Sequence, residues 1–412
     1  MDQICRNYAE LVLKRGVNIQ PGQVLVIDSP MWAADFDHLL MEEAFKLGAK
    51  DTIIHYADAE AERLRVKYMS DEALCDIPRW MSEKSTFYAD EGAAFLRVIS
   101  PKPDAAGDED PARAAKRRKA LSAPLAAMQM KRMANDLSWS AVCIPNPEWA
   151  CQVYPDKAPE EAVAALWDAI YRCCYVTQES GTAGWDRHIE KMLDNVRKLN
   201  ALDIRTLHLK NAKGTDITLD LCEEGVFAGG ICHCPEPDGI LFAPNIPTEE
   251  ILTTPHRFSA NGTVYNTLPL VYNDTIIDDF HLTFKDGVVV DWACGKNAEV
   301  LAGILNTDEG SRRLGEIALV PYDSPIRRSG VLFYNTLFDE NASCHMALGA
   351  GYIDVLHGDD RRRARSADLP RWRFCHLIWI DASIRIDVNF YSGRYCASAV
   401  CISGKIVRFI RK

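Results

Sequence analysis

Four short stretches in the second half of the chain set ionisable side chains directly against apolar ones. Pro247-Thr248-Glu249-Glu250 runs into Ile251-Leu252, and Leu314-Gly315-Glu316-Ile317-Ala318-Leu319 holds one acid inside an apolar segment. A polar run from Asn335 to Cys344 ends in His345, just before Met346-Ala347-Leu348, with Gly351-Tyr352 shortly after. His376 heads Leu377-Ile378-Trp379-Ile380. A carboxylate or imidazole in such surroundings is costly to bury unless it is paired or bound to a cation. Together, Glu250, Glu316, His345 and His376 offer the oxygen and nitrogen donors of a hydrolytic metal site. Each also has a plainer reading. Glu250 could be a first-turn helix acid behind Thr248 as N-cap. Glu316 could be half of a buried ion pair, and either histidine a hydrogen-bonded core residue. Composition and periodicity do not choose between these readings.

Other constellations are weaker. Cys232-His233-Cys234 resembles half of a zinc site, but the Cys-x-x-Cys spacing and a second pair are missing, so a surface or pocket loop is the simpler reading. Cys344 beside His345 has the composition of an activated thiol, yet adjacent residues on a strand point apart. The run Arg361-Arg362-Arg363-Ala364-Arg365 reads as a solvated loop in an acidic chain. No Walker loop, dinucleotide fingerprint or G-x-S-x-G elbow occurs.

The elements that must position these groups fall into two textures. Up to about residue 200, helical spacing (Asp2–Arg15, Asp35–Leu47, Glu160–Tyr175, Trp185–Asn200) alternates with short apolar runs. Those runs, Val24–Ile27, Asp51–Tyr56, Ala94–Ile99 and Ala141–Ile144, read as buried strands of an open α/β sheet. From Thr206 the pattern turns to period two with Asn261-Gly262 and Asp286-Gly287 turns, which predicts a β-rich α+β domain. A length of 412 residues fits two domains, 1–200 and 201–412. The net charge of −11 argues against binding nucleic acid or coating an anionic membrane. No apolar run approaches the ~20 residues of a membrane span. The start Met1-Asp2-Gln3-Ile4-Cys5-Arg6 lacks a signal-peptide pattern, and the 14 cysteines then read as reduced thiols, so a cytoplasmic location is expected.

From Pro244 to Tyr352 the sequence resembles the thermophilic-type aminopeptidases, a family of dinuclear metallopeptidases. The resemblance rests on Asn245-Ile246-Pro247-Thr248-Glu249-Glu250, Asn261-Gly262-Thr263-Val264, Asp308-Glu309-Gly310, Leu314-Gly315-Glu316, the run Ser329 to Asn341, and Cys344-His345. Tyr8-Ala9-Glu10-Leu11, Val17 to Gln23, Gly48-Ala49-Lys50 and Gly92 to Leu96 extend it over the first domain. The resemblance implies metal ligands at Glu250, Glu316, His345 and His376 and a tyrosine of the catalytic centre at Tyr352. It also implies a homodimer of two-domain subunits. The family reads His-Val-Asp-Phe-Met-Ile-Gly-Ser at its last ligand pair; this chain reads His376-Leu377-Ile378-Trp379-Ile380-Asp381-Ala382-Ser383, with isoleucine where the aspartate ligand stands. Asp381 would replace it only if the strand bulges.

The expected function is therefore a metal-dependent aminopeptidase acting on short peptides, with zinc, cobalt or a similar divalent metal, one or two per chain. Metal-activated water would attack the scissile carbonyl, Glu249 or another nearby acid would be the base, and Tyr352 would bond the oxyanion. The departure at Ile378 keeps two alternatives open: a one-metal enzyme on a small non-peptide substrate (an amide hydrolase or ring-opening oxygenase), and a non-catalytic dimeric relative.

Overall fold

The computed structural model describes residues 2–412 except 104–109, 123, 236–238, 273–274, 353, 358–374, 380–384, 393–394, 400, 403–404, 407–409 and 412; for Pro111 and the strands within 375–411 it describes the backbone alone. Two compact units result, Met1–His188 with Ile231–Ile246, and Ile189–Gly230 with Pro247–Lys412. They differ from the expected single cut near residue 200 in two places. The helix Ala183–Asn200 passes into the second unit at Ile189, and residues 231–246 return to the first.

The first unit is built on a parallel sheet in the order Asp51–Ala57, Val24–Pro30, Ala94–Ile99, Trp139–Cys143, Asn245–Ile246. Its strands are the apolar runs read from the sequence, and they bury Leu25, Val26, Ile27, Leu96 and Val142 almost completely. Continuous rather than alternating burial is what a sheet covered on both faces requires. The helix Gln3–Leu11, capped by Asp2 on the Cys5 N–H, packs Tyr8 and Leu11 inward. The Tyr8 hydroxyl donates to the Cys143 carbonyl at 3.0 Å, so the one polar atom of that ring is satisfied in the core. The helix Ala34–Lys46 ends ahead of Gly48, whose φ of +91° is open to glycine at low cost.

The second unit contains a large antiparallel sheet and a four-stranded antiparallel sheet ordered Ile251–Thr253, Leu314–Leu319, His345–Leu348, Cys375–Trp379. The smaller sheet carries the candidate site, and its alternation sets which residues are presented. Ile251, Leu314, Ile317, Met346 and Leu348 belong to the unit's apolar core, together with Leu207, Ile217 and Phe280. Glu316 pairs with Ala347, and His345 with Ala318, which puts Glu316 and His345 on the opposite face. Each buried aliphatic side chain is worth roughly 1.5–3 kcal/mol. A slip of one residue would exchange Ile317 for Glu316 and Met346 for His345, so the apolar face locks the polar one in register. The plainer reading of Glu250, a first-turn helix acid behind Thr248, does not hold: Ile251–Thr253 is a strand, and Glu250 precedes it.

Candidate metal centre

Glu250 stands one residue before the strand that pairs Leu252 with Ala318, so alternation turns it to the face of Glu316 and His345. The three side chains are buried and converge. His345 Nε2 lies 2.9 Å from Glu250 Oε2 and 3.8 Å from Glu316 Oε1. Donor atoms of all three lie within 4.8 Å of one another, and among the described residues this is the one group of His, Cys, Asp and Glu that could hold an ion. His345 Nδ1 is 3.1 Å from the Ser343 carbonyl. A carbonyl only accepts, so Nδ1 carries the proton and Nε2 is the atom turned to the carboxylates.

Glu316 reaches this position through a β-bulge. Leu314 pairs with Leu348, but Glu316 pairs with Ala347, so Gly315 is the extra residue. A Cβ at Gly315 would lie 2.2 Å from the Ala350 carbonyl oxygen, which no side chain tolerates. The next pairing is also irregular. Ala347 faces Leu377 while Leu348 faces Cys375, which leaves His376 as the inserted residue of the outer strand. Ile378 stands at the register position opposite Met346. The side chains of His376 and Ile378, and all of Asp381 and the basic run 361–365, lie outside the described residues.

Electrostatically the centre holds more negative charge than it can balance. Burial, then the charge of Glu250, pushes the Glu316 carboxyl up to about 8, against the opposing pull of His345. Burial opposes a charge on His345, but the bond to Glu250 and the charges of Glu250, Glu316 and Glu340 prevail and lift the imidazole to about 10. Glu340 is raised well above the carboxylate range by burial and by Glu250 and Glu316. Tyr352 is raised well above the phenol range by burial and then by Glu316, Glu250 and Glu340, so its hydroxyl keeps its proton at neutral pH. Protons do here what a divalent cation would do better, and a buried donor set of two carboxylates and one imidazole suits such a cation. The residues present therefore fit a bound metal.

The sequence reading named Glu250, Glu316 and His345, which meet, and Tyr352, whose hydroxyl feels their charges. Glu249 is buried next to Glu250, with its backbone N–H bonded to Asn341 Oδ1. Glu340 was missed. It sits in the polar run before His345, and its only signal was a place between the apolar Leu337-Phe338 and Met346-Ala347-Leu348. Cys344 packs into the apolar core, and its Sγ accepts from the Val320 N–H at 3.4 Å, away from the imidazole face.

A protein-family comparison matches residues 1–369 to the thermophilic metalloproteases designated M29. The chain belongs to the M29 family. The matched stretch contains Glu250, Glu316, His345 and Tyr352 and ends before His376. M29 relatives are similar over most of their length. Aminopeptidase 2 of Geobacillus stearothermophilus is 41% identical over 345 residues, 84% of this chain and 83% of the relative. Aminopeptidase T of Thermus thermophilus is 35% identical over 392 residues, 94% of this chain and 95% of the relative. The solved structure of wild-type AmpT from Thermus thermophilus superposes with a TM-score of 0.88 at 32% identity, covering 98% of this chain and 99% of that one. The M29 fold is thus an α/β arrangement of the kind read from the sequence.

Proposed function

We propose the following course of reaction for this M29 metal-dependent aminopeptidase, whose substrate is a short peptide with a free N-terminus. Glu250, Glu316 and His345 hold a divalent cation such as zinc or cobalt, with His376 as a further ligand. When bound, such a cation polarises the scissile carbonyl and makes water a nucleophile near neutral pH. The Tyr352 hydroxyl, kept protonated by burial and then by the surrounding acids, donates to the oxygen on which charge develops. Glu340 joins Glu249 as a candidate base: both are buried, and burial with the charges of Glu250 and Glu316 raises the Glu340 carboxyl well above the ordinary range. Glu250 and Glu316 orient the centre by staying ionised opposite the cation.

The observation that carries this reading is the convergence of Glu250, Glu316 and His345 on one buried point. Isoleucine at 378 supports about one tightly held metal per chain, because four remaining ligands satisfy one four-coordinate ion. A homodimer is the assembly that the family resemblance favours. Relatives named as aminopeptidases give no support to the oxygenase, amide-hydrolase or non-catalytic alternatives. Elemental analysis of purified protein, paired with a dipeptide screen, tests the reading. Stoichiometric metal and release of N-terminal residues are expected; metal-free protein that is inert after reloading would refute it.

A further inference from the structure

Asn341 is completely buried between the two acid-bearing segments of the centre. Its Oδ1 accepts the Glu249 backbone N–H at 2.6 Å, and its Nδ2 donates to the Leu337 carbonyl at 3.1 Å. Its own carbonyl accepts the Ser324 hydroxyl at 2.8 Å, and Ser324 Oγ in turn accepts the Arg327 N–H as cap of the helix Pro325–Ser329. The loop around it is held independently. Asp339 accepts the N–H groups of Phe333 at 2.8 Å and Asn335 at 3.0 Å. One side-chain amide therefore ties the segment ending in Glu250 to the turn that carries Glu340.

The residue type follows from the chemistry. The partners require an acceptor on one arm and a donor on the other, which a planar amide supplies. Aspartate would keep the acceptor but add charge to a buried region that already contains Glu249, Glu250, Glu316 and Glu340. Without an acceptor at 341, the buried Glu249 N–H would lose this bond and the backbone would shift to recover one. A ligand displaced by a fraction of an ångström binds its ion poorly.

We propose that Asn341 is a positioning residue for the metal centre: its amide holds the Glu249–Glu250 backbone against the loop 337–345, so that Glu250 meets Glu316 and His345. The inference rests on reading those three residues as a cation site. The test is calorimetric titration of Zn²⁺ and Co²⁺ into metal-stripped protein, with the melting temperature of each apo form measured alongside. Asn341→Leu keeps the number and branching of side-chain heavy atoms and loses both bonds; Asn341→Asp keeps the acceptor. The Leu variant should bind metal about tenfold or more weakly, in the range of losses seen when a ligand's supporting bond is removed, while the Asp variant, with the acceptor kept, should hold metal clearly more tightly than the Leu variant, its added charge showing as a lower apo melting temperature. If the Leu variant does not fold, Asn341→Ser, too short to reach both partners, is judged by the same criterion. Unchanged metal affinity in a folded Leu or Ser variant, whatever its apo melting temperature, would overturn the proposal, as would equal weakening in the Asp and Leu variants. An unmodified chain that binds neither metal would instead bring down the cation-site reading on which the proposal stands.

Discussion

Glu316 contributes a negative charge that the apo protein must neutralise and a metal-loaded protein can use. Replacing it with Gln should therefore act in opposite directions on two readouts. The apo form loses a carboxyl that burial already holds largely protonated near neutral pH, and should melt at an equal or higher temperature. The rise in melting temperature on adding metal should largely vanish, and peptide cleavage should fall by roughly two orders of magnitude or more. Differential scanning fluorimetry with and without Zn²⁺, beside a dipeptide assay, separates the two effects. In the first unit, Asp37 is a different case. It is fully buried, its Oδ1 accepts from the Ser29 hydroxyl at 2.9 Å, and its Oδ2 has no hydrogen-bond partner among the described residues. Burial raises it to about 6 from an ordinary value of 3.8. The native state thus binds this proton more tightly than the unfolded state. Its stabilising share is complete below about pH 4, falls as pH climbs toward 6, and stays lost above that. Asp37→Asn should flatten this slope and stabilise the protein at pH 8 by on the order of 1 kcal/mol, with little change at pH 4. Urea titrations across that range check the sign. Glu316 draws notice as an acid inside an apolar segment and His345 as a histidine just before one, and the family resemblance then marks both as ligands. Asp37 was not legible, because an acid in an amphipathic helix reads as exposed until the sheet beneath it is known.

At the scale of elements, the bulge at Gly315 is what turns a regular strand into a ligand-bearing one. Gly315→Ala would drive a methyl into the Ala350 carbonyl, a backbone atom that cannot swing aside. The strand must straighten or separate, at a cost of about 1–3 kcal/mol or more. Straightening would also turn Glu316 out of line with His345. Loss of metal affinity larger than the loss in melting temperature suggests is the expected result; an alanine variant with unchanged Zn²⁺ binding and stability would show that the bulge is dispensable. Strand positions in the first unit were readable because buried parallel strands are unbroken apolar runs, as in Val24-Leu25-Val26-Ile27. The short strand at Ile251 was not, because three residues carry no measurable period and Thr248 before two acids imitates a helix cap. Glu340 escaped for a similar reason. Its burial comes from packing distant in sequence, which no local pattern encodes.

For the whole molecule, the family resemblance predicts a homodimer, and light scattering at micromolar concentration should give twice the chain mass; a monomer would refute it. The division into α/β and β-rich parts was visible in the change of period after Ile204. The path between the units was not, since Ile231–Ile246 has the same turn-rich composition as its surroundings, and contacts distant in sequence, such as the pairing of Asn245–Ile246 with Ala141 and Val142 and the bonds of the Ala243 N–H to the Arg15 and Gly16 carbonyls, assign it to the first unit.

That pairing governs how the protein can be made. As the chain leaves the ribosome, the strands at Val24, Asp51, Ala94 and Trp139 are all available long before Asn245–Ile246 arrives to pair with Ala141 and Val142. Until then the sheet ends in an open edge, the kind of surface that recruits strands from other chains. A nascent chain stalled between the two stretches is thus exposed to misassociation, and the interval of translation between residues 143 and 246 is the period in which a chaperone has the most to protect. Any recombinant fragment stopping near residue 200 would keep that vulnerability permanently.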